Sequence, residues 1–131
     1  MSYITNIEKE ILENSNFRKV LFTAKHMQLV VMSIPVGGDI GMEVHGDVDQ
    51  FIRVEKGKAK SILNGVETEL EDDFSVIVPA GTEHNIVNIG DEDLKVYTIY
   101  ARPEHKRGTI HTTKEDAMAN EEHFDGATDV E

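Results

Sequence analysis

The stretch QFIRVEKGKAKSILNGVETELEDDFSVIVPAGTEHNIVNIGDEDLKVYTIY, residues 50–100, decides the fold class. Apolar and β-branched segments at Gln50–Val54, Ala59–Leu63, Val66–Leu70, Phe74–Val78, Glu83–Asn88 and Leu94–Tyr100 are separated by Gly57, Asn64-Gly65, Asp72-Asp73, Gly81 and Gly90-Asp91. Turn residues recurring at intervals of about 8–12 residues predict an antiparallel sandwich or barrel of short strands. The clearest local signal is Leu63-Asn64-Gly65-Val66. Asn and Gly accept the two positive-φ positions of a type I′ turn, so a hairpin is expected there.

Upstream, Arg18–Phe22 and Met27–Ile34 read as two further strands joined by a tight turn at Thr23-Ala24-Lys25-His26, and Pro35 with Gly37-Gly38 ends the second. Ile4, Ile7, Ile11 and Leu12 recur at helical spacing, which predicts a short amphipathic helix within residues 4–14. Downstream of Pro103 the composition changes. Thr112 with Glu115 three residues on reads as a capping box, so a second short helix is expected over Asp116–Glu122. From Glu115 to Glu131 there are seven acids and no Lys or Arg, which predicts a solvated, loosely ordered acidic tail. The expected organisation is a helix and lead-in strand over residues 1–20, a β-barrel over 21–102, and a C-terminal extension with helix and tail over 103–131.

At 131 residues the chain fits one core. Its formal net charge of −12 opposes a phosphate backbone, so nucleic acid is not an expected partner. No apolar run approaches the roughly 20 residues that cross a bilayer, and Met1–Ile11 lacks the basic and apolar regions of a secretory signal. A cytoplasmic protein without a membrane partner is expected. The absence of cysteine leaves His, carboxylate and amide groups as the available metal ligands.

Four such groups stand at strand starts or ends. The two-residue period of a strand sends Glu43 and His45 to one face. Gln50 begins the next strand after the turn Gly46-Asp47-Val48-Asp49, and His84 opens another after Pro79-Ala80-Gly81. For His45 and His84 the alternative is a hydrogen-bonded core histidine. For Glu43 it is a solvated carboxylate, and for Gln50 a link in a hydrogen-bond network. His26, His105, His111 and His123 lie in a turn or in the polar C-terminal stretch, where exposure is expected. Asp47 and Asp49 suit turn chemistry, Arg53 faces away from Gln50 and Ile52, and Tyr97 and Tyr100 fall on opposite faces of their strand. Arg102, Lys106 and Arg107 form a basic cluster that is either solvated or receives an anionic substrate.

Residues 37–57 resemble the first motif of the cupin family, G-x5-H-x-H-x3,4-E-x6-G, with Glu43 in place of the first histidine and Gln50 in place of the glutamate. Residues 73–88 resemble the second, G-x5-P-x-G-x2-H-x3-N, through Pro79, Gly81, His84 and Asn88, with Asp73 where glycine is usual. The resemblance, to the small single-domain bacterial cupins, implies a mainly β protein. Its fold would be a cupin-type antiparallel barrel, a double-stranded β-helix or jelly roll, with short terminal helices. It also implies one divalent metal ion at Glu43, His45, Gln50 and His84. The two substitutions keep the formal charge of the ligand set while making it harder, which favours Zn(II), Mn(II) or Fe(II). A metalloenzyme acting on a small oxygen-rich substrate, of isomerase or dioxygenase type, is expected. The alternative is a non-catalytic module that binds a sugar, an organic acid or a metal. A homodimer is expected as well, with Arg18–Phe22 available to cover an exposed sheet edge.

Overall fold

The computed structural model describes residues 1–130. Helix α1 (Ile7–Glu13) is followed by strands β1 (Arg18–Thr23), β2 (Gln28–Ile34), β3 (Asp49–Lys56), β4 (Ala59–Leu63), β5 (Val66–Leu70), β6 (Ser75–Val78), β7 (His84–Asn88), β8 (Leu94–Ala101) and β9 (Ile110–His111), then helix α2 (Lys114–Ala119). The strands form a six-stranded sheet in the order β6-β3-β8-β2-β1-β9 and a three-stranded sheet in the order β5-β4-β7. Every strand pair is antiparallel. The β4–β5 hairpin turns through Asn64 at φ 47° and Gly65 at φ 82°, the type I′ geometry expected of Asn-Gly.

Alternation places Ile52 and Val54 of β3, Val30 and Met32 of β2, Val96 of β8 and Ile86 of β7 in one core between the two sheets. Met32, Ile52, Ile86 and Leu94 are fully enclosed, and each contributes about 1.5–3 kcal/mol relative to an exposed position. The opposite residues of the large sheet face outward. There Ile77, Phe51, Ile99, Leu29 and Phe22 pair successively across five strands in an apolar row. Tyr3 stacks on Phe22 at its end, 5.0 Å between ring centres.

The C-terminal part differs from the expectations in three ways. Helix α2 begins two residues earlier than expected and ends at Ala119. Its cap is Thr113, whose hydroxyl accepts from Asp116 N, because Asp116 rather than Glu115 stands three residues on. Second, Arg18 and Lys19 of β1 pair with β9, so the chain's own extension covers part of the edge expected to be free.

Third, the acidic tail is tied to the barrel. Thr23 and Asp129 exchange hydrogen bonds in both directions, Arg107 pairs with Asp129 at 2.8 Å, and Phe124 N donates to Glu104 O. Charge in the tail is matched to specific donors, so hydration is not its only source of stability. Removing residues 121–131 should lower the melting temperature by several degrees, since about 1 kcal/mol moves a domain of this size by about 4 °C. An unchanged calorimetric transition would mean that these bonds contribute nothing.

Candidate metal centre

The segment after Gly41 runs alongside β7. Glu43 N donates to His84 O and His84 N donates to Glu43 O, both at 2.9 Å, so the two residues form an isolated antiparallel bridge. Directly opposed residues send their side chains to the same side. His45 lies two residues on, with its carbonyl accepting from Gly81 N at 2.7 Å. Gly81, at φ 84°, holds the turn that precedes His84. One ligand atom from each of Glu43, His45 and His84 lies within 4.8 Å of the others, and the two imidazole centres are 5.3 Å apart.

The rings are oriented for coordination. His84 Nδ1 lies 3.0 Å from Thr82 O, so it carries the proton and leaves the Nε2 lone pair free. His45 Nδ1 is 3.4 Å from Glu104 Oε1. His45 Nε2 lies 3.1 Å from Glu43 Oε2, yet it is buried and misaligned for a hydrogen bond. Two potential ligand atoms therefore face one another at ion-pair distance. Gln50, 3% exposed, lies between Val78 and Tyr100 in the sheet register. Its Nε2 donates to Thr98 Oγ1 at 2.9 Å while its Oε1 is buried with no donor. An amide oxygen left this way loses hydration without replacement. The donor chemistry of all four residues suits a divalent ion.

Groups that sequence reasoning missed surround this cluster. His105 and His111, expected to be exposed, are 7% and 4% exposed. The extension carries them back over the barrel, and a fully buried Gln28 fixes its course. Gln28 Oε1 accepts from the backbone of Glu104 and His105, and Gln28 Nε2 donates to His105 O at 2.7 Å. This clamp sets Glu104 beside His45. His105 Nδ1 meets Glu122 Oε1 at 2.8 Å and its Nε2 lies 3.3 Å from the Tyr100 hydroxyl. The one sequence signal for these contacts was the recurrence of acid–histidine neighbours, Glu104-His105 and Glu122-His123. His123 itself is exposed, as expected, and approaches Glu104 at 3.7 Å.

The basic cluster is engaged elsewhere: Arg102 pairs with Asp47 and Arg107 with Asp129 at the surface. Asp49 accepts from Ala80 N, the expected turn role. Arg53 lies outward against Glu55 and Asp73, Tyr97 packs near Phe51 and Tyr100 is buried. Glu43, His45, Glu104, His105, Glu122 and Arg18 line a cavity of about 310 Å³.

A cupin-domain family model matches residues 30–100, more than half of the chain. The chain belongs to the cupin family. Over 127 residues it is 45% identical to the protein YrkC of Bacillus subtilis, covering 92% of this chain and 68% of that one. It is also 40% identical to the protein L612 of Acanthamoeba polyphaga mimivirus, covering 82% of this chain and 70% of that one. The crystal structure of BH2720 from Bacillus halodurans superposes with a TM-score of 0.90 at 44% identity, over 92% of this chain and 96% of that chain. The fold is thus shared along nearly the whole chain.

Burial opposes protonation of His45, but the carboxylates of Glu104 and Glu43 outweigh it and raise its pKa to about 9. Burial alone would raise Glu43 and Glu104. Their contacts with His45 reverse this and hold both below the usual carboxylate range. Without metal, His45 is thus an imidazolium between two carboxylates at neutral pH. A raised folded-state pKa stabilises below the unfolded value of 6.5, and that stability is lost as pH rises through about 9. The melting temperature of chelator-treated protein should therefore fall between pH 6.5 and 9, and His45→Gln should flatten that slope. Equal slopes in the two proteins would place the titration elsewhere.

Proposed function

We propose that this cupin is a metalloenzyme whose single divalent ion, Zn(II), Mn(II) or Fe(II), is held by Glu43, His45, Gln50 and His84. The observation that carries this reading is the convergence of ligand atoms of Glu43, His45 and His84 within 4.8 Å of one another, beside a buried Gln50 Oε1 that has no hydrogen-bond donor. A divalent ion, when bound, supplies Lewis acidity toward a carbonyl, enediol or dioxygen-type oxygen. The protein's own residues do the rest. Glu104 orients His45 through Nδ1, and the Thr82 carbonyl orients His84. His105 stands between Glu122 and Tyr100 on the same cavity, where it can hold a proton and pass it along a three-residue chain. Burial outweighs Glu122 and lowers the pKa of His105, which favours its neutral, proton-accepting form. This chain of titratable groups favours an isomerase or dioxygenase over the alternative, a non-catalytic module binding a sugar, an organic acid or a metal.

Calorimetric titration of chelator-treated protein with zinc should give one site. His45→Ala and His84→Ala should abolish it, because each removes one of two imidazoles. Glu43→Ala should weaken it strongly by removing the one carboxylate ligand. Gln50→Ala should be mildest, since water replaces a neutral oxygen, and His26→Ala should be silent. Metal at a hundredfold excess over Kd should stabilise the fold by about 2.7 kcal/mol. Absence of uptake, with melting unaffected by chelator, would refute the metal centre.

The outward apolar row Ile77–Phe51–Ile99–Leu29–Phe22 supports a homodimer formed through the face of the large sheet rather than through the β1 edge. Light scattering should give twice 14.7 kDa. Ile77→Asp, placed on a residue that is 68% exposed, should reduce the mass to that of one chain without unfolding it. A single-chain mass for the unaltered protein would exclude the dimer.

A further inference from the structure

Arg18, the first residue of β1, is 6% exposed and lines the same cavity as Glu43 and His45. Its Nη1 donates to His111 Nδ1 at 3.3 Å, and its guanidinium lies over the Phe17 ring, 5.4 Å from the centroid. Its Nε is buried with no partner. His111 supplies no countercharge. Its Nε2 donates to Asn120 O at 3.1 Å, so Nδ1 accepts and the ring is neutral.

The cavity acids are committed to other partners. Glu43 faces His45, Glu104 faces His45 and His123, and Glu122 takes His105 Nδ1 and Lys106 N. Lys114, the other Lys or Arg on the cavity wall, is paired with Asp39. Among the described residues no carboxylate forms an ion pair with Arg18. Glu43 and Glu122 lie near enough to interact electrostatically with Arg18, yet neither forms an ion pair with it. A buried guanidinium with no direct ion pair is costly and offers a place for an anion from outside. Planar and forked, the group matches the two oxygens of a carboxylate or phosphate.

We propose that Arg18 anchors the oxyanion of a small organic ligand, a carboxylate or a phosphate ester, whose other end reaches the Glu43–His45–His84 cluster. The ligand class rests on the metal-centre reading, but the anchor does not. The cavity then has a cationic wall at Arg18 and a coordinating wall at the cluster, and the ligand carries oxygen functions at both ends. This assigns to Arg18 the anion-receiving role that the sequence suggested for Arg102, Lys106 and Arg107.

The test is nitrogen-proton correlation NMR of the Arg18 Nε–Hε resonance during titration with acetate and, separately, inorganic phosphate. It is run on chelator-treated and on zinc-loaded protein. A saturable shift of this resonance with either anion, in either metal state, supports the anchor, and the stronger anion identifies carboxylate or phosphate ester as the ligand class. Arg18→Met should abolish binding while keeping zinc uptake, and its melting temperature in carboxylate- and phosphate-free buffer should equal or exceed that of the unaltered protein. Arg18→Lys should keep the fold and bind about tenfold more weakly, because the fork is lost. An Arg18 resonance that neither anion moves in either state, or undiminished anion binding by Arg18→Met, would overturn the proposal. A protein that binds no zinc but shows the Arg18 shift would sink the metal centre and leave the anchor standing.

Discussion

The site depends on the two backbone hydrogen bonds that join Glu43 to His84 across 40 residues of intervening chain. They fasten the segment after Gly41 to the start of β7, and in doing so they bring the two cupin motifs together. Backbone bonds have fixed direction and length, so the side chains of Glu43 and His84 are aligned by the sheet and not by their own contacts. His45 then follows by strand parity, and the turn through Gly81 closes on its carbonyl. A cluster positioned this way is preformed, and preformed groups carry a lower ordering cost for binding.

The barrel and the grouping of Glu43, His45 and His84 were legible because both are written locally. Gly, Asn-Gly and Asp-Asp punctuation marks strand ends, and the observed strands begin and end within about two residues of those marks. Glu43 and His45 share a face by a period of two, and the spacing of Pro79, Gly81 and His84 encodes a turn. The roof of the cavity was not legible. Its course is set by Gln28, which bonds the backbone of Glu104 and His105 some 77 residues away, and such side-chain-to-backbone contacts leave no periodic trace. His105 and His111 therefore looked like ordinary polar-tail histidines.

Arg18 illustrates the same limit from the opposite side. Read locally, it opens an apolar strand and belongs at a solvated end. Its burial comes from β9, whose His111 lies 93 positions later in sequence and covers it by register. The visible basic cluster at Arg102, Lys106 and Arg107 drew attention because charges adjacent in sequence are easy to see. Arg102 and Arg107 meet acids at the surface, whereas the isolated arginine is enclosed.

The cavity is built from two materials of unequal strength. Its floor belongs to cooperative sheet ladders, while its roof, residues 104–130, enters the sheet only through the two residues of β9 and is otherwise fastened at Gln28, Glu122 and Asp129 by side-chain bonds. Elements held by few separate contacts open at a lower free-energy cost than the global transition. Fraying of the C-terminal segment can therefore proceed independently of the barrel's resistance to unfolding, and sequence change confined to those residues leaves the Glu43–His84 bridge in place. The extension acts, in effect, as a replaceable cover on a permanent vessel.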